Sequence, residues 1–130
     1  MKIEHFAIWA RDIERLKDFY VQYFGAIAND RYVNEKKQYR SYFLCFGDGA
    51  RLELMQRPDI AEHPARGQDT QYFGYAHMAI SVGSEDKVDM LTQKLIADGY
   101  TRLDGPRETG DGYYESVVQD PEGNRIEITV

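Results

Sequence analysis

The sequence is short of the features that would place a protein outside the cell, in a membrane or on a nucleic acid. It holds one cysteine, Cys45, which cannot close an internal disulfide and fits a reducing, cytoplasmic setting. No apolar run is long enough to span a bilayer, and Met1-Lys2-Ile3-Glu4-His5 opens a strand rather than a secretory leader. Basic residues are outnumbered, 16 lysines and arginines against 22 acids, and the formal charge of −6 is scattered along the chain. That balance argues against the clustered positive face by which proteins hold nucleic acid or anionic lipid. What is present is a core: 42% of the 130 residues are hydrophobic and 13% aromatic. One compact domain over residues 1–130 is expected, able to bury its interior without a disulfide.

The apolar residues fall into alternating and helical periods. Residues 2–9 alternate as a strand, with Phe6 and Ile8 on one face and His5, Ala7 and Trp9 on the other. Asp12 then caps a helix whose Ile13, Leu16, Phe19, Tyr20, Tyr23 and Phe24 recur at helical spacing until Gly25 stops it. A short strand is expected over 28–33, a polar turn over 34–37, and a hairpin from Tyr39–Phe46 to Arg51–Met55. Residues 57–74, with two prolines, two glycines and no period, read as a linker, and His63 within it as an exposed loop histidine. The pattern then begins again: a strand over 75–82, a helix capped by Ser84 with Val88, Leu91 and Leu95, and a short strand over 100–103. A turn-rich loop over 105–112 follows, then a closing hairpin from Tyr113–Gln119 to the terminal strand.

The second half repeats the first. Glu-His-Phe-Ala-Ile at 4–8 matches Ala-His-Met-Ala-Ile at 76–80, and the hairpin ending Arg51-Leu52-Glu53-Leu54 matches the one ending Arg125-Ile126-Glu127-Ile128. The fold class is therefore α+β, two tandem βαβββ modules over 1–56 and 75–130. Each has a histidine on its first strand and a glutamate on its last, both opposite the helix-packing face. A module this small is poorly stable alone, so the two should pair. Pairing them concave face to concave face brings His5, Glu53, His77 and Glu127 together. Two facing carboxylates repel unless a positive charge lies between them, and a divalent metal supplies it. Two imidazoles and two carboxylates suit zinc, nickel, cobalt or iron.

With these motifs the chain resembles the vicinal oxygen chelate superfamily, in its glyoxalase I-like branch. The resemblance covers nearly the whole length and is carried by His5 in Glu-His-Phe-Ala-Ile, Glu53 in Arg-Leu-Glu-Leu, His77 in Ala-His-Met-Ala-Ile and Glu127 in Asp-Pro-Glu-Gly-Asn-Arg-Ile-Glu. It implies a half-open barrel and all four family ligand positions. It also implies one divalent ion per site, Ni2+ or Co2+ in preference to Zn2+, because histidine rather than glutamine stands at the first position. The activity implied is that of a lactoylglutathione lyase-like metalloenzyme. Such an enzyme abstracts a proton next to a carbonyl of an α-ketoaldehyde thiol adduct, through an enediolate stabilised by the metal. By resemblance Glu127 is the base, with Glu53 the symmetric alternative.

Two departures bear on the substrate. Glutathione-using members generally carry arginine four residues after the first ligand and asparagine four after the second, where this chain has Trp9 and Arg57. Trp9, Tyr39, Phe43 and Tyr75 instead imply a partly aromatic pocket, with Arg57 and Arg107 as anchors for an anionic group. Two alternatives stay open: a non-catalytic binder of bleomycin-type antibiotics, and a dioxygenase or thiol transferase of the same fold. The partner expected in either case is a small molecule. The exposed edges of two curved sheets also predict a homodimer.

Overall fold

The computed structural model describes residues 1–62 and 70–130. It forms two compact units, Met1–Glu62 and His63–Val130. The first runs β1 (His5–Trp9), α1 (Ile13–Phe24), β2 (Ile27–Ala28), β3 (Tyr32–Asn34), a single 3-10 turn (Glu35–Lys37), β4 (Tyr39–Cys45) and β5 (Arg51–Gln56). The second runs β6 (Met78–Ser81), α2 (Glu85–Ala97), β7 (Arg102–Glu108), β8 (Tyr114–Gln119) and β9 (Arg125–Thr129). Their sheets share one plan. In the first the order is β1-β5-β4-β2, with β3 also on β4; in the second it is β6-β9-β8-β7. First and last strands pair in parallel in each unit, and the last strand pairs antiparallel with its hairpin partner. This is an α+β arrangement of two βαβββ modules. Among the described residues, no helix is long and apolar enough to cross a membrane.

Local chemistry explains where each helix begins and ends. The Asp12 carboxylate accepts from the backbone N–H groups of Glu14 and Arg15, both at 3.1 Å, satisfying donors that the first turn leaves open. Gly25 takes the left-handed conformation at φ 65° that ends α1. Ser84 caps α2 by accepting from Lys87 N. The faces so aligned bury Ile13, Leu16, Phe19 and Tyr20 of α1, and Val88, Thr92 and Leu95 of α2. The inward faces of the sheets, Leu44, Leu52 and Leu54 in one unit and Val118, Ile126 and Ile128 in the other, are equally buried. Because side chains alternate along a strand, burying Leu52 and Leu54 turns Glu53 to the opposite face, and burying Ile126 and Ile128 does the same for Glu127.

Three features differ from the expectations above. The strand expected over 75–82 begins only at Met78, so His77 stands one residue before β6, whereas His5 is the first residue of β1. The first half of the loop expected over 105–112 is strand, since β7 continues to Glu108 with register shifts on either side of Asp104. It does so because β7 is an edge strand, where a proline and an irregular register are tolerated. A Cβ at Gly105 would collide with the Glu115 carbonyl oxygen, so glycine permits this close approach of β7 to β8. Third, Thr92 takes a fully buried place on α2 beside the expected Val88 and Leu95. His63 and part of the linker lie outside the described residues.

The burial of Thr92 is made tolerable by its hydrogen bonds. Its hydroxyl donates to Val88 O and lies 2.6 Å from the hydroxyl of Ser116, itself fully buried. Thr92→Val therefore leaves Ser116 with an unmatched buried hydroxyl and should destabilise the protein by about 1–3 kcal/mol. Adding Ser116→Ala should recover much of that loss, as read by urea unfolding.

Candidate metal centre

Each unit places its histidine beside its glutamate by the same device. In the parallel pair β1/β5, Ala7 lies directly across from Glu53, and in β6/β9 Ala79 lies directly across from Glu127. The histidine stands two residues before that alanine in each case, on the same face. The methyl group fills so little space that the imidazole reaches diagonally to the carboxylate. His5 Nε2 lies 3.8 Å from Glu53 Oε2, and His77 Nε2 lies 3.3 Å from Glu127 Oε2. The two carboxylates are largely covered, their side chains 15% and 17% exposed.

These separations exceed those of a good hydrogen bond. For metal–donor distances of about 2.1 Å, neighbouring ligand atoms sit about 3.0 Å apart on an octahedral edge and about 3.4 Å apart on a tetrahedral one. The spacing in the second unit meets that condition, and that in the first meets it after a small side-chain rotation. An imidazole nitrogen with a carboxylate oxygen is a donor pair suited to a borderline divalent cation. Among the described residues no group of three or more histidine, cysteine, aspartate or glutamate side chains is arranged to hold a metal ion, so each unit presents a pair.

The surroundings of the two pairs differ. In the first unit the His5 Nδ1 is bonded to the Glu4 carboxylate, which also accepts from Arg51 Nε at 2.7 Å. With Nδ1 on one carboxylate and Nε2 toward Glu53, His5 has the outer carboxylate–histidine arrangement that orients metal-binding imidazoles. The bond from His5, aided by Arg51, holds the Glu4 carboxyl below the ordinary glutamate range. Glu53 is fixed on its other oxygen, Oε1, which accepts from the Tyr39 hydroxyl at 2.9 Å. Burial, and then this carboxylate, raise the Tyr39 phenol above its ordinary value.

In the second unit the residue before His77 is Ala76, so that imidazole has no acid in the place of Glu4. Glu127 instead faces a second acid, Glu115, on β8. Burial, then repulsion by Glu127 and a hydrogen bond with it, raise the Glu115 carboxyl above the ordinary range. A raised carboxyl beside a carboxylate is the outcome expected when two acids face each other at one site.

The remaining pocket residues are distributed unevenly. Trp9 and Arg57, with Tyr32, Asn34, Lys37 and Tyr39, line a recess of about 260 Å³ in the first unit. Phe43 lies outside that recess: its ring stands edge-on to His5 with centroids 5.4 Å apart, and the Arg51 guanidinium lies 4.1 Å above it. Arg107, on β7, is engaged by Asp104, its Nε 3.0 Å from Oδ2. Tyr75 is exposed before β6. Glu4, Glu115 and the recess residues Tyr32, Asn34 and Lys37 escaped the sequence reading. The parity of β8 would have found Glu115, since Val117 pairs with Glu127 and Glu115 shares its face.

The fold and these pairs define a class, tandem βαβββ units each carrying a histidine and a glutamate on its parallel strand pair. The chain belongs to the Glyoxalase/Bleomycin resistance protein/Dioxygenase superfamily, which residues 2–128 match. A curated relative, the uncharacterised YqjT protein of Bacillus subtilis, is 36% identical over 58 residues, 42% of this chain and 45% of that one. The match thus spans under half the length of that relative. Among solved structures, a glyoxalase family protein from Enterococcus faecalis is similar at a TM-score of 0.76 and 24% identity, covering 99% of this chain and 97% of that one. The trypanothione-dependent glyoxalase I of Leishmania major is similar at 0.76 and 22%, covering 99% and 86%. Glyoxalase I from Zea mays is similar at 0.78 and 20%, covering 98% of this chain but 44% of that one. At these identities the likeness is one of fold.

The raised Glu115 carboxyl gives a signed prediction for the metal-free protein. The folded state holds a proton that the unfolded chain releases at lower pH. The contribution of this group is thus fully present below the ordinary glutamate range and is lost as pH rises through the raised folded value. Glu115→Gln removes that loss, so its stability relative to wild type should improve from acidic to neutral pH in urea unfolding. A difference that does not change with pH would count against the carboxyl pair.

Proposed function

We propose that this chain is a metal-dependent lyase or isomerase of the glyoxalase I type, acting on an α-ketoaldehyde thiol adduct or a similar small substrate. His5, Glu53, His77 and Glu127 are the ligands of one divalent cation, nickel or cobalt in preference to zinc. The observation that carries this reading is the repeated pair: the same histidine and glutamate, across the same alanine, on the parallel strands of both units. The relatives named above as glyoxalase I support it.

A cation on these ligands would supply Lewis-acid polarisation of the substrate oxygens. The protein's own residues divide the remaining work. Glu53 is tied to the Tyr39 hydroxyl and serves as a fixed ligand. Glu127, which faces Glu115 on β8, is the base, taking the proton from the carbon beside the carbonyl and returning it to the neighbouring carbon. Glu4 and Arg51 hold the His5 ring so that Nε2 faces the ligand partner.

The reading extends to a cytoplasmic homodimer. β1 and β6 each stand at the edge of their own sheet, and an open edge invites pairing with a second chain. A second reading, a non-catalytic binder of small aromatic ligands, is favoured by the recess around Trp9 and would dispense with the metal.

Metal content separates the two. Protein purified without chelator, then offered nickel, cobalt or zinc, should bind one ion per ligand set. Glu53→Gln and Glu127→Gln should weaken binding by more than the roughly 10–100-fold typical of an outer-shell partner, the loss expected of Glu4→Gln. With an α-ketoaldehyde thiol adduct, Glu127→Gln should lower kcat by roughly 10²–10⁴ even at saturating metal. Wild-type protein that takes up none of the three ions would overturn the enzyme reading and leave the binder.

A further inference from the structure

The recess beside Trp9 has a chemistry of its own that the metal ligands do not explain. Its walls are Trp9 and Tyr39, edge-on with centroids 6.2 Å apart, and Tyr32, in turn edge-on to Tyr39 at 6.1 Å. Three aromatic rings meeting at steep angles form a corner that receives a flat ring by edge and face contacts. Its polar groups are hydrogen-bond donors. Arg57 lies over the Trp9 ring, 5.3 Å from its centroid, and pairs with Asp59 at 2.5 Å. Lys37, exposed on the 3-10 turn, also lines the recess and makes no ion pair among the described residues. Asn34 uses its side-chain oxygen to cap the 3-10 turn, accepting from Lys37 N at 3.2 Å, which leaves its amide nitrogen to donate.

With Arg57 paired to Asp59, Lys37 leaves the lining of the recess one positive charge in excess, which favours an anion. Single-ring size follows from the volume, about 260 Å³, which lies below the usual range for drug-sized ligands. We propose that the recess binds the remote end of the substrate and that this end is a single planar ring bearing one carboxylate. Lys37 pairs with the carboxylate, and the ring lies in the corner of Trp9, Tyr32 and Tyr39. As a statement about substrate this rests on the enzyme reading above; as a statement about binding it stands without metal.

Trp9 is the only tryptophan in the sequence, so indole fluorescence reports on this recess alone. Metal-free protein titrated with benzoate should show a saturable change in that emission. Benzamide, with the ring and no charge, and propionate, with the charge and no ring, should each bind at least about tenfold more weakly. Lys37→Met should weaken benzoate about tenfold, the loss expected of a charge-assisted hydrogen bond, while Lys37→Arg retains it. Lys37 is on an exposed turn, and unchanged circular dichroism would show that the variant is folded. No saturable change with benzoate, equal binding of benzamide or propionate, or unaltered affinity in folded Lys37→Met would each overturn the proposal. Because metal is absent from the titration, failure here leaves the metal reading standing, and failure to bind metal leaves this one standing.

Discussion

The parallel pairing of the first and last strands is the constraint on which the rest of each unit depends. It joins residues 46 positions apart in the first unit and 48 in the second, so the helix and hairpin between them serve to bring one edge strand back against the closing strand. Burial of Leu52 and Leu54, or of Ile126 and Ile128, under a helix decides which way the glutamate points. Alanine across the ladder then decides whether the histidine can reach it. The turn before β9 protects this geometry. The buried Asp120 carboxylate accepts from Glu122 N, Asn124 N and Asn124 Nδ2 at 2.8–2.9 Å. A turn so fully bonded resists a one-residue slip, which would carry Glu127 to the core face.

On this shared backbone the two units have diverged in electrostatics. The first surrounds its pair with groups that fix it: Glu4 and Arg51 behind the imidazole, Tyr39 on the carboxylate. The second sets its glutamate against another acid. The same backbone thus presents one carboxylate held by a phenol donor and one facing a second carboxyl, a difference that a symmetric repeat alone does not require.

Much of this was legible in the chain. The helix ends followed from Asp12, Gly25 and Ser84, and the strand faces from the alternation around Glu53 and Glu127. The repeat singled out His5 and His77 as equivalents. What was not legible depended on tertiary context. Gly105-Pro106 carries strong turn chemistry, and only its position on an edge strand lets β7 run through it. The recess was hidden because Asn34 and Lys37 sit in a stretch whose polarity reads as a plain turn; the 3-10 turn and β4 bring them beside Trp9. Glu115 shares the face of Glu127 only through the register of β8 on β9, in which Val117 lies across from Glu127.

Tyr39 belongs to two environments at once. One side of its ring is a wall of the recess, and its hydroxyl is a donor to Glu53. Were a cation held at Glu53 and a ligand in the recess, thermodynamic linkage would impose a reciprocity: whatever factor the ligand applied to cation affinity by shifting this tyrosine, the cation would apply to the ligand in return. A single phenol can thereby make two binding events conditional on each other without any movement of the backbone.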